Sequence, residues 1–328
     1  MSAQKIVTIV GATGAQGKGV VAAFINDPAY RVRAVTRNTT SASAQALSAQ
    51  GAELVQADVD DVSSLERAFA GSHIIFGLTN FFEPFISLQS PEKAQAIEIQ
   101  HGINLARAAA STLSTLEHYI WSTLPDAATL TGGKYQVPHF DGKVKVDTYI
   151  REKLPQLNAK TTYLWVTWYH SNYIWPIFTP YHIPTAEKYV QFASFKPDTP
   201  LTTIGDVSVN LALFVRAIIA QPEKTYGQVV VASVDTYTAD EMLQRWAAAK
   251  GLKAQFVQVS GKAFRELWPL WGEEMGVMME FWDEAREDSW SASGSGGRKV
   301  LYKEDLAVEG LQSVDEAFKE FELPELKY

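Results

Sequence analysis

"IVGATGAQGKGVVAAFI", residues 9–25, sets Gly11, Gly14 and Gly17 in GxxGxxG spacing. An apolar β-branched run, "KIVTIV" at 5–10, leads into them, and a stretch of helical apolar periodicity follows. Strand, glycine turn and helix in that order are what a dinucleotide-binding β-α unit requires. The first glycine permits the tight turn. The second lets backbone N–H groups approach a pyrophosphate, and the third lets the helix pack closely on the strand, with its anion-attracting N-terminus at the turn. A glycine turn of purely structural use would leave the regular spacing unexplained.

Working outward, β-branched runs at 31–36, 52–57, 73–78, 118–122 and 162–167 alternate with helical patterns at 15–26, 41–50, 63–70, 92–113 and 141–153. Such alternation predicts an α/β fold with a doubly wound parallel sheet covered by helices on both faces. After Tyr169 the aromatic and proline-rich "YHSNYIWPIFTPYHIP" reads as a loop or a cover over a pocket. Asp206 is placed to cap a helix ending before Pro222, with a strand following at 228–232. Thr238 and Glu241 stand in capping-box spacing, with Gly251 at the end of that helix. The rest, "FWDEAREDSW" included, reads as mostly helical, and "SASGSGGRK" at 291–299 as an exposed flexible loop. The division expected is a sheet domain at 1–168, with 198–235 returning to it. A smaller, mainly helical substrate or partner domain takes 169–197 and 236–328.

Composition narrows the function classes. The 328 residues are 46% hydrophobic and 20% charged, which is ordinary for a folded globular chain. A formal charge of −8 and no basic run argue against direct nucleic-acid binding, which rests on clustered Lys and Arg. With no cysteine, disulfides, thiolate metal sites and cysteine nucleophiles are excluded, and any redox chemistry must come from a cofactor. The N-terminal "MSAQKIVTIVGATG" lacks the pattern of a signal peptide, and no apolar window is long enough to span a membrane, so the cytoplasm is the expected compartment, the nucleus staying open. The six histidines show no HxxxH or HExxH spacing, so no metal is expected, and no GxSxG elbow is present.

The strand ends refine the cofactor. The second ends in "TRN" and carries no acid to receive a ribose 2′-hydroxyl; Arg37 stands there instead. A guanidinium at that place pairs with a 2′-phosphate, favouring NADP(H), or is simply a solvated strand-end arginine. Asp58, in "QADVDD" at the third strand's end, is placed either to meet adenine, by its side chain or through the Val59 backbone, or to cap the helix that follows.

The combination of "GATGAQG", "TRN", "GLTNFFE" at 77–83, "HFDGK" at 139–143 and "WYHSNY" at 168–173 resembles the NmrA-like family of atypical short-chain dehydrogenases over nearly the whole chain. The resemblance implies a Rossmann domain in which Gly11, Ala12, Thr13, Gly14, Ala15 and Gln16 wrap the pyrophosphate, with Gly17 closing the turn. It implies Arg37 and Asn38 at the 2′-phosphate, Asp58 and Val59 at adenine, and Thr79, Asn80 and Phe81 on the nicotinamide side. Lys143 would reach the nicotinamide ribose, and Tyr169, His170, Ser171 and Asn172 would close the pocket. The family includes redox-sensing regulators that bind NADP(H) without turnover and oxidoreductases of small-molecule or secondary metabolism. It is similar also to isoflavone-reductase-type enzymes, which use a lysine without the YxxxK tyrosine.

The catalytic question centres on 139–143. Reductases of this kind pair the lysine with a tyrosine four residues earlier on the same helical face, and here His139 takes that place, directly after Pro138. An imidazole there donates a proton in principle; helix capping or packing is the ordinary alternative. Three other candidates to act with Lys143 are Ser122, in "YIWSTLPD" after the fifth strand, Tyr169 and Tyr173, each of which has a structural alternative as a loop or core residue. Eight of the nine tryptophans fall from Trp165 onward, and they are expected mostly in the small domain's core. Trp165, Trp168 and Trp175 are expected near the pocket mouth, where aromatic walls suit a planar hydrophobic substrate. The chain thus reads as an NADPH-dependent reductase of a hydrophobic metabolite, with a non-catalytic NADP(H) sensor that binds a protein partner as the alternative; a homodimer is left open.

Overall fold

The computed structural model describes residues 4–323; the outermost residues of the two expected domains, 1–3 and 324–328, and so the start of the N-terminal stretch tested for a signal peptide, lie outside it. The first half runs β1 (Lys5–Val10), α1 (Ala15–Phe24), β2 (Tyr30–Thr36), α2 (Ala42–Ala49), β3 (Glu53–Gln56), α3 (Val62–Phe69), β4 (Ile74–Gly77), α4 (Phe82–Leu88), α5 (Pro91–Ala110) and β5 (His118–Thr123). It continues with α6 (Ala127–Leu130), α7 (Pro138–Lys153), α8 (Pro155–Asn158), β6 (Thr161–Val166) and β7 (Trp168–Tyr169). The second half contributes β8 (Tyr181–Ile183), β9 (Lys188–Ala193), β10 (Pro200–Gly205), α9 (Val207–Ala220), α10 (Pro222–Thr225), β11 (Val229–Ala232) and β12 (Asp235–Thr238). Last come α11 (Ala239–Ala249), β13 (Ala254–Gln258), α12 (Gly261–Leu267), α13 (Pro269–Ala285), β14 (Val300–Leu301) and α14 (Val314–Glu320).

The central sheet has eight strands in the order β14-β11-β6-β5-β4-β1-β2-β3, with neighbouring strands paired in parallel. The strand order reverses between β1 and β4, and in a doubly wound sheet that reversal opens a ligand crevice at the carboxyl ends of the strands. Strands β4, β5, β6 and β11 are buried along their whole length, as helices on both faces demand. One face packs α1 and α9 through Val20, Phe24, Leu211 and Phe214; the other packs α3, α5 and α7 through Leu65, Leu105, Val146 and Ile150.

Local signals placed several boundaries correctly. Asp206 caps α9 through Ser208 N at 2.8 Å, Thr238 and Glu241 form a capping box on α11, and Gly251 follows that helix at φ +65°. The region after Tyr169 is less helical than its sequence implies, because two three-stranded sheets, β12-β10-β7 and β13-β9-β8, accompany α11 to α14. The strands of those sheets are short and lack a long alternating pattern. The stretch 291–299 is a loop exposed at Ala292, Ser293, Gly296, Gly297 and Lys299, as expected, but it is pinned at one point. Arg298 reaches the fully buried Asp147 at 3.0 Å, and Ser295 Oγ donates to the Arg298 carbonyl at 2.6 Å, so a buried charge anchors the segment to the sheet domain.

Candidate functional site

The crevice opens on a cavity of about 1020 Å³ that runs from the glycine turn to the aromatic lobe. Gly11 adopts φ +64°, a left-handed conformation that suits glycine. A Cβ on Gly17 would stand 2.1 Å from the Gly11 carbonyl oxygen, so the turn closes only with glycine there. No side chain caps the N-terminus of α1 and no acid lies in its first turn. Uncapped N–H groups with no competing carboxylate fit a pyrophosphate.

Gly11, Thr13, Gly14, Ala15, Gln16 and Gly17 line this end of the cavity. Ala12 does not; it is 1% exposed and packs in the sheet core, since the turn directs its methyl inward. Arg37 and Asn38 flank the crevice, as do Asp58 and Val59. Asn38 Oδ1 accepts from Thr40 N at 2.9 Å, so its side chain closes a local turn. Asp58 Oδ1 accepts from Asp60 N at 3.0 Å; the N-cap position of α3 belongs to Asp61, which removes the capping alternative for Asp58.

Arg37 holds a partner that its strand-end position gave no sign of. Its guanidinium makes a two-pronged ion pair with Glu83 of α4, at 2.7 and 3.0 Å. Glu83 holds the guanidinium charge well above its ordinary range by hydrogen bonding and charge. Both side chains are more than half exposed, so a phosphate dianion could compete for the same fork.

Lys143 is bound on two sides. Its Nζ donates to Thr79 Oγ1 and to Glu98 Oε1, both at 2.8 Å, and the Thr79 hydroxyl donates to the same Glu98 oxygen at 2.8 Å. Glu98, on α5, is fully buried, and its sequence gave no signal beyond one acid on an amphipathic helix. Ser122 and Tyr169 are joined through the glycine turn. Ser122 Oγ donates to Gln16 Oε1 at 2.8 Å, and Gln16 Nε2 donates to Tyr169 Oη at 2.7 Å. Burial pushes the Tyr169 phenol up to about 12, despite the Gln16 hydrogen bond, so it stays protonated at neutral pH.

Two further sequence candidates, besides Ala12, face away from the cavity. Tyr173 is 1% exposed, stacked on Phe318 and edge-on to Trp246, because the aromatic core of the second lobe encloses it. His170 is drawn inward by the Gly205 carbonyl, 2.9 Å from its Nδ1, and by Phe321; its neighbours Ser171 and Asn172 do line the cavity. Asn80 and Phe81 line it as well, Asn80 Oδ1 capping Phe82 N at 3.2 Å.

The far end is more aromatic than the tryptophan count implied. Trp168, Trp175, Trp271, Trp282 and Trp290 line it together with Met275 and Met278, whereas Trp165 and Trp246 are fully buried core. At its wall Phe82 stacks on Trp271 at 5.6 Å and Trp175 tilts against Trp271 at 5.5 Å.

His139 sits in the first turn of α7, ringed by Phe81, Phe82 and Phe140. Its Nδ1 is 2.5 Å from Glu274 Oε1, which also accepts its backbone N–H at 3.2 Å. Glu274, on α13, is a second buried carboxylate without a sequence signal. Among the described residues no group of three or more His, Asp or Glu is arranged to hold a metal, and no helix is long and apolar enough to cross a membrane.

Comparison with known proteins places this geometry in a lineage. Similar in sequence is the NmrA-like family domain-containing oxidoreductase hkm9 of Aspergillus hancockii, 29% identical over 77% of this chain and 74% of that one. The structure of NmrA, a negative transcriptional regulator in complex with NADP, superposes with a TM-score of 0.76 at 23% identity, over 97% of this chain and 95% of that one. An NADPH-dependent quinone oxidoreductase from Escherichia coli, complexed with NADPH, gives a TM-score of 0.65 at 17% identity, over 95% and 98%. Both likenesses are of fold. The NmrA-like family model matches residues 3–313, and with a parallel sheet reversing at β1 and β4 over this glycine turn, the chain belongs to the NmrA-like family.

Proposed function

We propose that this protein is an NADPH-dependent reductase of a planar, hydrophobic, carbonyl- or quinone-bearing small molecule. The observation that carries the reading is a single cavity joining an anion-ready glycine turn to a wall of Phe82, Trp175 and Trp271. A relative named as an oxidoreductase and a quinone-reducing structural neighbour support it.

When bound, the nicotinamide supplies hydride. The α1 N-terminus takes the pyrophosphate, and Arg37 with Asn38 takes the 2′-phosphate. Asp58 and Val59 border adenine. Lys143, oriented by Thr79 and Glu98, holds the nicotinamide ribose, with Asn80 and Phe81 beside the ring. In the Ser122–Gln16–Tyr169 chain Ser122 orients Gln16, and the Tyr169 phenol, which accepts from Gln16, keeps its hydrogen for a hydrogen bond to the substrate, while Ser171 and Asn172 line the pocket. The aromatic wall excludes water and orients a flat substrate by stacking.

Stopped-flow or steady-state oxidation of NADPH with a panel of quinones, enones and aromatic ketones tests this reading. Acceptor-dependent oxidation is expected. Tight NADPH binding with no acceptor consumed would instead support an NADP(H)-sensing regulator, a reading favoured by the absence of a phenol beside Lys143. Different effects of NADP⁺ and NADPH on partner binding would then have to be found.

A further inference from the structure

We propose that His139, held by Glu274, is the proton donor of the reduction, replacing a tyrosine at the position one helical turn before Lys143. The inference rests on the reductase reading above. It begins with the hydrogen-bond pattern of Glu274. Oε1 accepts the backbone N–H of His139, so it is an acceptor and the imidazole must carry its hydrogen on Nδ1. Nε2 meets no hydrogen-bond partner among the described residues, and His139 lines the cavity. The ring is therefore fixed in orientation, with its free nitrogen available to a bound molecule.

The charge balance points the same way. Glu274 is fully buried, its Oε2 has no hydrogen-bond partner among the described residues, and its Oε1 meets both the Nδ1 and the backbone N–H of His139. A desolvated carboxylate is stabilised by a proton on the imidazole beside it. The charged groups that face His139 are Glu274 from α13 and, on its own helix, Asp141; Lys143, one turn on, is neutralised by Glu98 from α5. Phe81 and Phe82 contribute no charge. The other donors are less suited: the ammonium of Lys143 is committed to Glu98 and Thr79, and Tyr169 is held as a weak acid.

The step balances as follows. Hydride from reduced nicotinamide forms a C–H bond at the electrophilic carbon, and the π pair of the substrate moves onto its oxygen. That oxygen takes the proton from Nε2. The N–H pair remains on the ring, leaving neutral imidazole with Nδ1–H on the Glu274 carboxylate, and solvent reprotonates Nε2 after product leaves.

The test compares the full-length chain with His139→Gln and Glu274→Gln. NADPH affinity is read by fluorescence, kcat and KM are read for a quinone acceptor, and the hydrogen on His139 Nδ1 is read by ¹⁵N NMR of histidine-labelled protein without acceptor. His139→Gln is expected to keep NADPH affinity and KM while losing about 100-fold or more in kcat. Glu274→Gln retains the acceptor oxygen and guards against misfolding of the first variant. It is expected to change the Nδ1 signal of His139 and to lower kcat about tenfold or more with NADPH affinity kept. Undiminished kcat in His139→Gln, or an unchanged His139 Nδ1 signal in Glu274→Gln, overturns the proposal while acceptor-dependent turnover keeps the reductase reading. A wild-type chain that binds NADPH but turns over no acceptor overturns both.

Discussion

Lys143 and Glu98 form an ion pair of 2.8 Å in which the carboxylate is fully buried and the lysine side chain is 12% exposed. Such a pair stabilises little by its presence and costs much when broken, because the surviving charge is left desolvated. Lys143→Met is expected to lower unfolding free energy by about 3–5 kcal/mol. Adding Glu98→Gln should recover most of that loss. Urea denaturation of the single and double variants checks the cycle; purely additive losses would show that the two groups are not coupled.

Arg37 and Glu83 form an exposed two-pronged ion pair beside the cavity, and the proposed 2′-phosphate site asks cofactor phosphate to displace Glu83 from it. An exposed pair is worth about 1 kcal/mol or less, so a phosphate dianion with matching geometry displaces Glu83. Arg37→Ala is expected to weaken NADP(H) binding about tenfold or more, with NAD(H) little changed. Glu83→Gln should tighten NADP(H) by freeing the fork. Calorimetric titration with both cofactors decides the matter, and equal losses for both in Arg37→Ala would remove Arg37 from the 2′-phosphate site.

Trp271 stacks on Phe82 at 5.6 Å and 20° between ring planes in the aromatic wall of the cavity, where the proposed function puts the acceptor. Trp271→Ala is expected to raise KM for an aromatic acceptor about tenfold, the equivalent of one lost stacking contact of about 1.4 kcal/mol. NADPH affinity should be unchanged. A variant with unaltered KM would move the acceptor elsewhere.

Asp141 gives a pH-dependent stability prediction. Burial, reinforced by Asp126, pushes its carboxyl from the ordinary 3.8 up to about 7. Between those values the folded chain holds a proton that the unfolded chain has lost, so this group's contribution to stability falls as pH rises from about 4 to about 7. Asp141→Asn removes the penalty. After allowance for partial exposure, the variant is expected to gain on the order of 1–2 kcal/mol at pH 8 and nothing at pH 3.5. Thermal melts at the two pH values check the sign.

Much of the fold was legible because its signals are local. The glycine spacing at 11, 14 and 17, the alternation of strand and helix, and the caps at Asp206 and Thr238 each act within a few residues, and the structure forms them where the sequence placed them. The small sheets of the second lobe were not legible: β7 has only two residues and β8 only three, too few to show a period.

The candidate site divides along the same line. Residue types and spacing by themselves determined the dinucleotide turn, the cation at the end of β2 and the lysine of α7. Tertiary structure alone decided what each charge meets. Lys143 meets Glu98, 45 residues away, Arg37 meets Glu83, 46 away, and His139 meets Glu274, 135 away. It also turned His170 and Tyr173 into the second lobe's packing. A turn or a cap is specified by torsion angles and neighbours in the chain, whereas a buried charge must be neutralised by whichever opposite group packing brings within reach, and no sequence separation encodes that encounter.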